Sequence, residues 1–501
     1  MPLVLPVNRA DSTRFTKWER AAFKPVGWKT NGDILVPISQ RIKHGRLAIE
    51  RRLPIIVSGA FPSLESDLFR RWGASVERMM MKTMQAIRRC FWVTIWGLAT
   101  LALADDGQPS ASTGWQAGVA TAKITPDEPM YMAGYAARKE QAEGTEQDLF
   151  AKALAIEDDR GHRAVLLTMD LIGVSDALRS VVADRVRTQH GIEPASLLMN
   201  ASHTHCGPAY TRDDAREYFD WLSSTLVDIV GQAIADLQPA RLSYSHARCG
   251  FAMNRRTPTE RGYRNHPNPE GPVDHSVPVL SVSDADGQRR AVVFGYACHT
   301  TTMGFLRWLG DYAGYAQEYF EQDHPGVTAM FVAGCGADQN PYPRRELKYA
   351  QYHGRALATA VEAALEIGQT TPRHQHPLQG PLHAVMETVD LSFTDPDRPD
   401  HAYPVQVWRF GDGLTLVALG NEVVVDYSLR LKEELGHARG TAVWVAGYSN
   451  AYPGYIPSRR VLLEGGYEAD SRPWDPDLEE RIVAKVHELF QRACPAANLH
   501  D

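Results

Sequence analysis

Short apolar stretches alternate with longer helical patterns along most of the chain, which predicts a fold that mixes strands and helices. Residues 164–169 are apolar on both faces, which is typical of a strand inside a sheet. Residues 217–237 carry an apolar side chain at every fourth position, which predicts a long amphipathic helix. By the same criteria, strands are predicted at 150–157, 163–170, 197–199, 242–249, 277–282, 290–298, 328–333, 414–419 and 443–446, and helices at 176–190, 350–365, 424–434 and 476–493.

The order of these elements predicts an α/β fold with mixed β-sheets flanked by helices. Strands and helices alternate without the regular strand–helix–strand rhythm of a purely parallel sheet. The segment 254–275 is dense in Arg, Pro, Asn and His, and it is predicted to be a polar loop. We expect residues 105–501 to form a single large domain.

The first 104 residues have a different pattern from the rest of the chain. Residues 1–80 are rich in Arg and Pro, show poor periodicity, and are expected to be a non-native or disordered extension. Residues 81–104 contain a basic stretch, an apolar run and the sequence Ala102-Leu103-Ala104. These are the three parts of a secretory signal, and they predict cleavage after Ala104 and a secreted or periplasmic location. An N-terminal domain that ends in a buried apolar helix is the alternative.

Composition narrows the class of protein. Of the 501 residues, 44% are hydrophobic and 23% are charged, which is typical of an ordinary globular protein. The formal net charge of -7 gives no sign of the basic face that nucleic-acid binders carry, so no nucleic-acid partner is expected. No uncharged apolar run of about 20 residues occurs after Ala104, so no membrane-spanning helix is predicted there.

Histidines and a carboxylate follow several of the predicted strands. His203 and His205 come after the strand at 197–199, and residues two apart in an extended segment face the same side. His299 follows the strand at 290–298, and Glu422 follows the strand at 414–419. Two histidines and one carboxylate are a frequent catalytic zinc set that leaves a position open for water. Alternatively, the two neighbouring histidines are ordinary polar residues beside a turn, and Glu422 is a carboxylate at a helix N-terminus.

Three aspartates also follow strands or precede predicted turns. Asp170, Asp311 and Asp338 could orient the histidines as hydrogen-bond partners behind the metal. They could equally be strand-end caps or turn residues.

The order of the motifs resembles that of the neutral/alkaline, non-lysosomal ceramidases in their N-terminal catalytic domain, from about Trp115 to Ser471. The motifs that carry the resemblance are the segment 117–125, His203-Thr204-His205-x-Gly207-Pro208, Asn254-Arg255, Cys298-His299-Thr300-Thr301, Gly420-x-Glu422, and the run from Gly447 through Tyr455 to Tyr467.

The resemblance implies an activity and a role for each matching residue. It implies hydrolysis of the amide bond of ceramide in a secreted or membrane-facing setting, with a small-molecule or lipid amide as substrate and transient contact with a membrane surface. The implied zinc ligands are His203, His299, Glu422 and Tyr455. His205 is implied to handle protons or to support the ligands, and Arg255 and Tyr467 to hold the scissile carbonyl.

Two departures from the family pattern change the expectation. Asn340 stands where the family carries a serine that is proposed as nucleophile, so Asn340 is expected to donate a hydrogen bond to the developing oxyanion instead. The family's C-terminal immunoglobulin-like domain is expected to be absent. We therefore expect a secreted zinc-dependent amidohydrolase that acts on ceramide-like lipids with an activated water. The alternatives are a zinc hydrolase of another amide or ester, carbohydrate-linked for example, and an inactive secreted binding protein.

Overall fold

The structure is a computed structural model that describes residues 114–370, 376–439 and 441–494. The expected extension at 1–80 and the predicted signal at 81–104 lie outside the described residues. The strands are β1 (Trp115–Lys123), β2 (Gly144–Thr145), β3 (Phe150–Asp158), β4 (Arg163–Met169), β5 (Leu197–Ala201), β6 (Gln238–Arg248), β7 (Ala252–Thr259), β8 (Gly262–Asn268), β9 (Ser276–Asp284), β10 (Arg289–Tyr296), β11 (Arg307–Trp308), β12 (Thr328–Ala333), β13 (Gln339–Pro341), β14 (His376–Pro377), β15 (Leu382–Leu391), β16 (His401–Phe410), β17 (Leu414–Leu419), β18 (Glu422–Val423), β19 (Ala442–Ala446) and β20 (Tyr455–Ile456). The helices are α1 (Asp176–His190), α2 (Arg216–Ala235), α3 (Asp311–Asp323), α4 (Leu347–Thr370), α5 (Val425–Arg439), α6 (Arg459–Glu464), α7 (Tyr467–Asp470) and α8 (Leu478–Arg492).

Two mixed β-sheets pack against each other. In the part of the chain that the structure describes, the larger sheet has nine strands in the order β12-β10-β9-β6-β1-β3-β4-β5, with β14 paired to β6, and the smaller has the order β15-β16-β17-β19. The pairs β4–β5, β10–β12 and β17–β19 are parallel, whereas β1–β3 and β15–β16 are antiparallel. Apolar side chains of both sheets, such as Leu166, Met330, Trp408 and Trp444, share one buried cluster. The predicted mixed α/β class is confirmed.

Helices cover the outer faces of both sheets. Helices α1 and α2 pack on the larger sheet over the part that holds β1, β3, β4 and β5, and helices α3 and α4 pack over β6, β9, β10 and β12. Helices α5 and α8 cover the outer face of the smaller sheet. The layers therefore run helix, sheet, sheet, helix, and each apolar face is buried against a neighbour.

The ends of β5 and β12 lie together although they are the two ends of the strand order. The fully buried side chain of Asn200, on β5, donates to the carbonyls of Gly447 at 2.8 Å and Ala333 at 3.4 Å. Its Oδ1 accepts from the amide of Ala333 at 2.9 Å, and its Nδ2 also contacts Ser449 Oγ at 3.0 Å. One amide side chain thus holds the ends of β5, β12 and β19 together. The loop that carries His203 and His205 starts at the end of β5.

The predicted polar loop at 254–275 is wrong for most of its length. Strands β7 and β8 form an antiparallel hairpin with the pair Thr259–Gly262 at its tip. The side chains of β8 are exposed, so the hairpin shows no apolar alternation that sequence reasoning could detect. Pairing of β7 with β13, a strand about 85 residues further along the chain, holds the hairpin in place. That pairing sets Met253 opposite Asn340 and puts the next β7 residues beside β13.

Several elements were not predicted at all, chiefly helix α3 and the long hairpin of β15 and β16. Cys206, Cys249, Cys298 and Cys335 are free thiols and are buried, as small packing residues usually are. Within the described ranges, the helices are all too short or too polar to cross a membrane.

Candidate metal centre

The two histidines after β5 do not lie in an extended segment, which corrects the prediction from their spacing. β5 ends at Ala201, and His203 has a φ of 60°, in the left-handed region. The turn nevertheless brings the rings together, with centroids 4.8 Å apart and Nε2 atoms 3.1 Å apart. The convergence therefore depends on the turn and not on strand alternation.

Two hydrogen bonds connect the loop after β5 to the loop after β10. The Thr300 hydroxyl donates to the carbonyl of Ser202 at 2.6 Å, and the amide of His205 donates to the carbonyl of Thr300 at 3.3 Å. These contacts place the imidazole of His299 4.7 Å, centroid to centroid, from that of His203. The two histidines, 96 positions apart in the sequence, therefore share one buried space.

Glu422 completes this cluster. Its Oε2 lies 3.2 Å from His203 Nε2 and 3.3 Å from His299 Nε2. The β18–β20 ladder delivers it, because Glu422 pairs there with Tyr455. Nitrogens of His203, His205 and His299 also lie within 4.8 Å of one another. The structure thus brings together three histidines and one carboxylate that the sequence analysis had singled out.

The donor atoms fit a metal ion. His299 Nε2 and Glu422 Oε2 are buried and have no hydrogen-bond partner, although buried polar atoms are normally paired. They approach one another at 3.3 Å without hydrogen-bond geometry, as ligands of a common ion do. Imidazole nitrogens and a carboxylate oxygen are the donors that zinc takes in catalytic sites.

Backbone carbonyls, and not aspartates, orient the histidines. His203 Nδ1 contacts the carbonyl of Ile172 at 2.6 Å, and His299 Nδ1 contacts that of Gly336 at 2.8 Å. A carbonyl at Nδ1 requires that nitrogen to carry the proton, which leaves Nε2 with its lone pair facing the cluster.

The three aspartates considered for that role bind backbone amides instead. Asp170 accepts from the amide of Phe150 at 3.0 Å, and Asp311 accepts from the amides of Met303 and Tyr312. Asp338 accepts from the amide of Val425 at 2.9 Å and from the side chain of Asn254 at 3.1 Å. They therefore act as the strand-end and turn residues of the alternative reading.

The charge state of the cluster suits a divalent cation. Burial, with Arg255 adding to it, lowers the pKa of His299 to about 3. Burial and the other two histidines lower the pKa of His205 well below its ordinary value. Burial alone would raise the pKa of Glu422, but His203 and His299 hold it well below its ordinary value. Neutral imidazoles and an ionised carboxylate are the forms that bind metals.

Arg255 lies beside the cluster in a fixed orientation. Its Nε donates to Glu468 Oε1 at 2.8 Å, and its two terminal nitrogens reach Asn340 Oδ1 at 3.4 Å and the Tyr455 hydroxyl at 3.1 Å. Arg255 and Glu468 are both almost fully buried. The predicted catalytic residues Arg255 and Asn340 are thus in contact, and Tyr455 joins them to the strand that pairs with Glu422.

The two predicted tyrosines differ in exposure. Tyr455 is buried, and burial together with Glu422 raises the pKa of its phenol well above the ordinary value. Tyr467 is 58% exposed, with its ring centroid 5.3 Å from that of Tyr455 and 5.6 Å from the guanidinium carbon of Arg255. Tyr467 therefore stands on the solvent side of Arg255.

Two further aromatic residues contact the histidines, and the sequence analysis gave them no role. The ring of Tyr448, which has a φ of 48°, lies 4.3 Å from that of His203, and its buried hydroxyl has no partner. The ring of Tyr135 lies 4.8 Å from that of His205. Tyr448 stands in the Gly447–Tyr455 run, which was one available signal, whereas Tyr135 comes from a loop that precedes β3 and has no such signal.

Comparison with known proteins supports the reading of the motifs. Residues 115–341 match the family described as neutral/alkaline non-lysosomal ceramidase, N-terminal. The chain is 27% identical over 416 residues to the neutral ceramidase of Pseudomonas aeruginosa, which covers 73% of this chain and 58% of that protein. It is 25% identical over 296 residues to neutral ceramidase A of Dictyostelium discoideum, which covers 52% of this chain and 41% of that protein. The chain thus spans less than two thirds of the length of these relatives.

The fold has a counterpart among solved structures. The crystal structure of the Pseudomonas aeruginosa neutral ceramidase superposes with a TM-score of 0.64 at 20% identity, over 75% of this chain and 73% of that one. The matched residues 115–341 contain His203, His205, Arg255, His299 and Asn340. The resemblance inferred from the sequence is therefore confirmed: residues 115–341 of this chain match the neutral/alkaline non-lysosomal ceramidase family.

Proposed function

We propose that this chain is a secreted zinc-dependent hydrolase that cleaves the N-acyl amide of ceramide-like lipids. The main support for the proposal is that His203, His299 and Glu422 lie together in a buried cluster. In this cluster His299 Nε2 and Glu422 Oε2 have no hydrogen-bond partner. The match to the ceramidase family over residues 115–341 supports the amide as the bond that is cleaved. Secretion rests on the signal pattern at 81–104 alone.

His203, His299 and Glu422 would hold the zinc ion, with Tyr455 as a fourth ligand. Tyr455 is the strand neighbour of Glu422, and a bound cation lowers the pKa of a phenol that burial has raised. The zinc ion, when bound, supplies a Lewis acid for the scissile carbonyl and lowers the pKa of a bound water. The remaining steps belong to side chains around it.

Arg255 would stabilise the oxyanion that forms during amide cleavage. The ion pair with Glu468 holds its guanidinium still, so that its terminal nitrogens need no reorganisation as charge develops. Tyr467, on the solvent side of Arg255, would donate a hydrogen bond to the same oxygen. Asn340, whose Oδ1 accepts from Arg255, stands where the family pattern has a serine hydroxyl. An amide side chain can donate and accept hydrogen bonds but cannot act as that nucleophile.

His205 would be the residue that moves a proton. A neutral imidazole there would take a proton from the attacking water and pass it to the leaving nitrogen. Its Nε2 is 3.1 Å from His203 Nε2, next to the ligand atoms.

The test combines metal analysis with a hydrolysis assay on the full chain. We expect about one zinc ion per wild-type chain, and we expect His299→Ala to lose both the zinc and hydrolysis of a short-chain ceramide. The matched control is His324→Ala. His324 follows helix α3, is half-buried and pairs with Glu362 on helix α4, so this variant should keep both the zinc and the hydrolysis. Stoichiometric zinc in His299→Ala would contradict the ligand assignment, and a zinc-loaded wild type that leaves every amide intact would contradict the activity.

A further inference from the structure

Two consecutive arginines, Arg344 and Arg345, lie near the candidate metal centre and have no role in the proposed mechanism. Arg344 Nη1 contacts the Thr301 hydroxyl at 3.5 Å, and that hydroxyl contacts Asn340 Oδ1 at 3.3 Å. Arg255 contacts the same Asn340 oxygen at 3.4 Å. The hydroxyl of Thr301 thus lies between Arg344 and Asn340.

The second arginine reaches the same region from the other side. Arg345 has a φ of 84°, and its amide donates to the carbonyl of Thr302 at 2.8 Å, which turns its side chain toward the loop after His299. Its guanidinium carbon lies 5.8 Å from the ring centroid of Tyr135, the tyrosine that packs on His205. A Cβ added at Gly304 would come within 3.1 Å of Arg345 Nη1, so this guanidinium lies against that loop. Arg344 therefore lies on the Asn340 side of the centre, and Arg345 lies on the histidine side.

Within the described part of the chain, neither guanidinium has a carboxylate partner. Among the residues that the structure describes, no acidic side chain forms an ion pair with Arg344 or Arg345, and their neighbour Glu346 pairs with Lys348 at 2.7 Å. The buried carboxylate of Asp311 is taken up by two backbone amides. Arg255, by contrast, is balanced by Glu468.

The positive charges also crowd one another. Burial, followed by Arg345, lowers the pKa of Arg344, and Arg255 acts in the same direction. Arg344 is partly exposed and Arg345 is exposed, so an anion from solvent can reach both guanidinium groups. Guanidinium groups bind carboxylates in a planar, two-pronged geometry.

We infer that Arg344 and Arg345 form an anion subsite beside the candidate metal centre, and that the amide substrate carries a carboxylate next to the scissile bond, as an N-acyl amino acid does. Ceramide offers only hydroxyl groups at that place and would leave both arginines unbalanced. The reaction is that of the proposed function: water adds its oxygen to the carbonyl carbon, the C–N bond breaks, and the nitrogen takes the proton. The products are a fatty acid and an amino acid.

The kinetic test uses two substrates that differ in one charge, N-lauroylglycine and N-lauroylethanolamine, with the full chain loaded with zinc. We expect wild type to prefer the glycine conjugate at least tenfold in kcat/KM. Arg344→Gln and Arg345→Gln should each raise KM for the glycine conjugate about tenfold, the loss expected for one charge-assisted hydrogen bond, and leave the ethanolamide unchanged. The control Arg241→Gln, an exposed arginine on β6, should change neither. Equal effects on both substrates, or a wild-type preference for the ethanolamide, would overturn the inference and leave the proposed hydrolase standing.

A binding measurement keeps the inference separate from the hydrolysis on which it rests. Calorimetric titration with the non-hydrolysable N-dodecylsulfonylglycine should show at least tenfold tighter binding than N-dodecylsulfonylethanolamine, and Arg344→Gln should abolish the difference. If no amide is cleaved but this difference is found, the proposed function fails and the anion subsite stands. Equal affinity of wild type for the two compounds overturns the subsite whatever the kinetics show.

Discussion

The ion pair between Arg255 and Glu468 provides the sharpest test of how the centre is held. Glu468 Oε1 accepts from Arg255 Nε at 2.8 Å, and its other oxygen accepts from Arg256. Burial alone would raise the pKa of Glu468, but the two arginines outweigh it and lower the pKa. The substitution Glu468→Gln keeps the shape of the side chain and removes its charge.

The expected cost follows from which partners remain. Arg256 keeps Glu464, at 3.1 Å, and the carbonyl of Gly465. Arg255 is left with neutral partners: the hydroxyl of Tyr455, the amide of Asn340 and the amide that replaces the carboxylate. Breaking a buried ion pair by removing one partner typically destabilises a protein by about 3–5 kcal/mol. Because part of the loss is offset at Arg256, we expect the free energy of unfolding to fall by about 3 kcal/mol.

Urea unfolding of the full chain, followed by tryptophan fluorescence, measures this difference. The control is Glu480→Gln, the same chemical change at a 56% exposed side chain that pairs with Arg430 at 2.7 Å. An exposed pair contributes less than about 1 kcal/mol, so this variant should unfold close to wild type. Hydrolysis should also fall in Glu468→Gln, because Arg255 loses the contact that fixes its direction. Equal unfolding midpoints for the two variants would refute the claim that Glu468 balances buried charge at the centre.

Three other predictions test the surroundings of the centre. Gly134→Ala should lower hydrolysis at least tenfold, because a Cβ there would lie 2.5 Å from His205 Cγ. The control is Gly161→Ala, where φ is also positive but the space around the Cβ is open. It should lower the free energy of unfolding by about 1 kcal/mol and leave the rate of hydrolysis unchanged. In metal-depleted protein, stability should rise with pH between about 3 and 6.5, since His299 stays neutral in the folded chain while the unfolded chain takes up a proton; His299→Gln should flatten that rise in urea midpoints, and parallel curves would contradict it. Asn200→Leu should destabilise the chain by about 3 kcal/mol in thermal unfolding, because it strands buried groups at three strand ends, and a wild-type melting temperature would show that these ends hold together without it.

Local pattern determined much of the secondary structure. Helix α1 occupies the predicted bounds because its apolar face recurs at helical spacing, Ser175 caps its first turn and Gly191, at a φ of 68°, ends it. The central strands were equally predictable because both of their faces are buried. The β7–β8 hairpin was not, since its exposed side chains show no alternation and its stability comes from pairing with β13.

The sequence by itself determined which residues can do the chemistry, and the tertiary structure decided how they meet. His203, His299 and Glu422 were recognisable because each follows an apolar strand and has a side chain that binds metals. Their convergence depends on a left-handed turn at His203 and on contacts between segments far apart in the chain. Such contacts reflect packing between elements, which no local window of sequence encodes. For the same reason, the unbalanced charge of Arg344 and Arg345 becomes visible only when the structure shows which carboxylates have other partners.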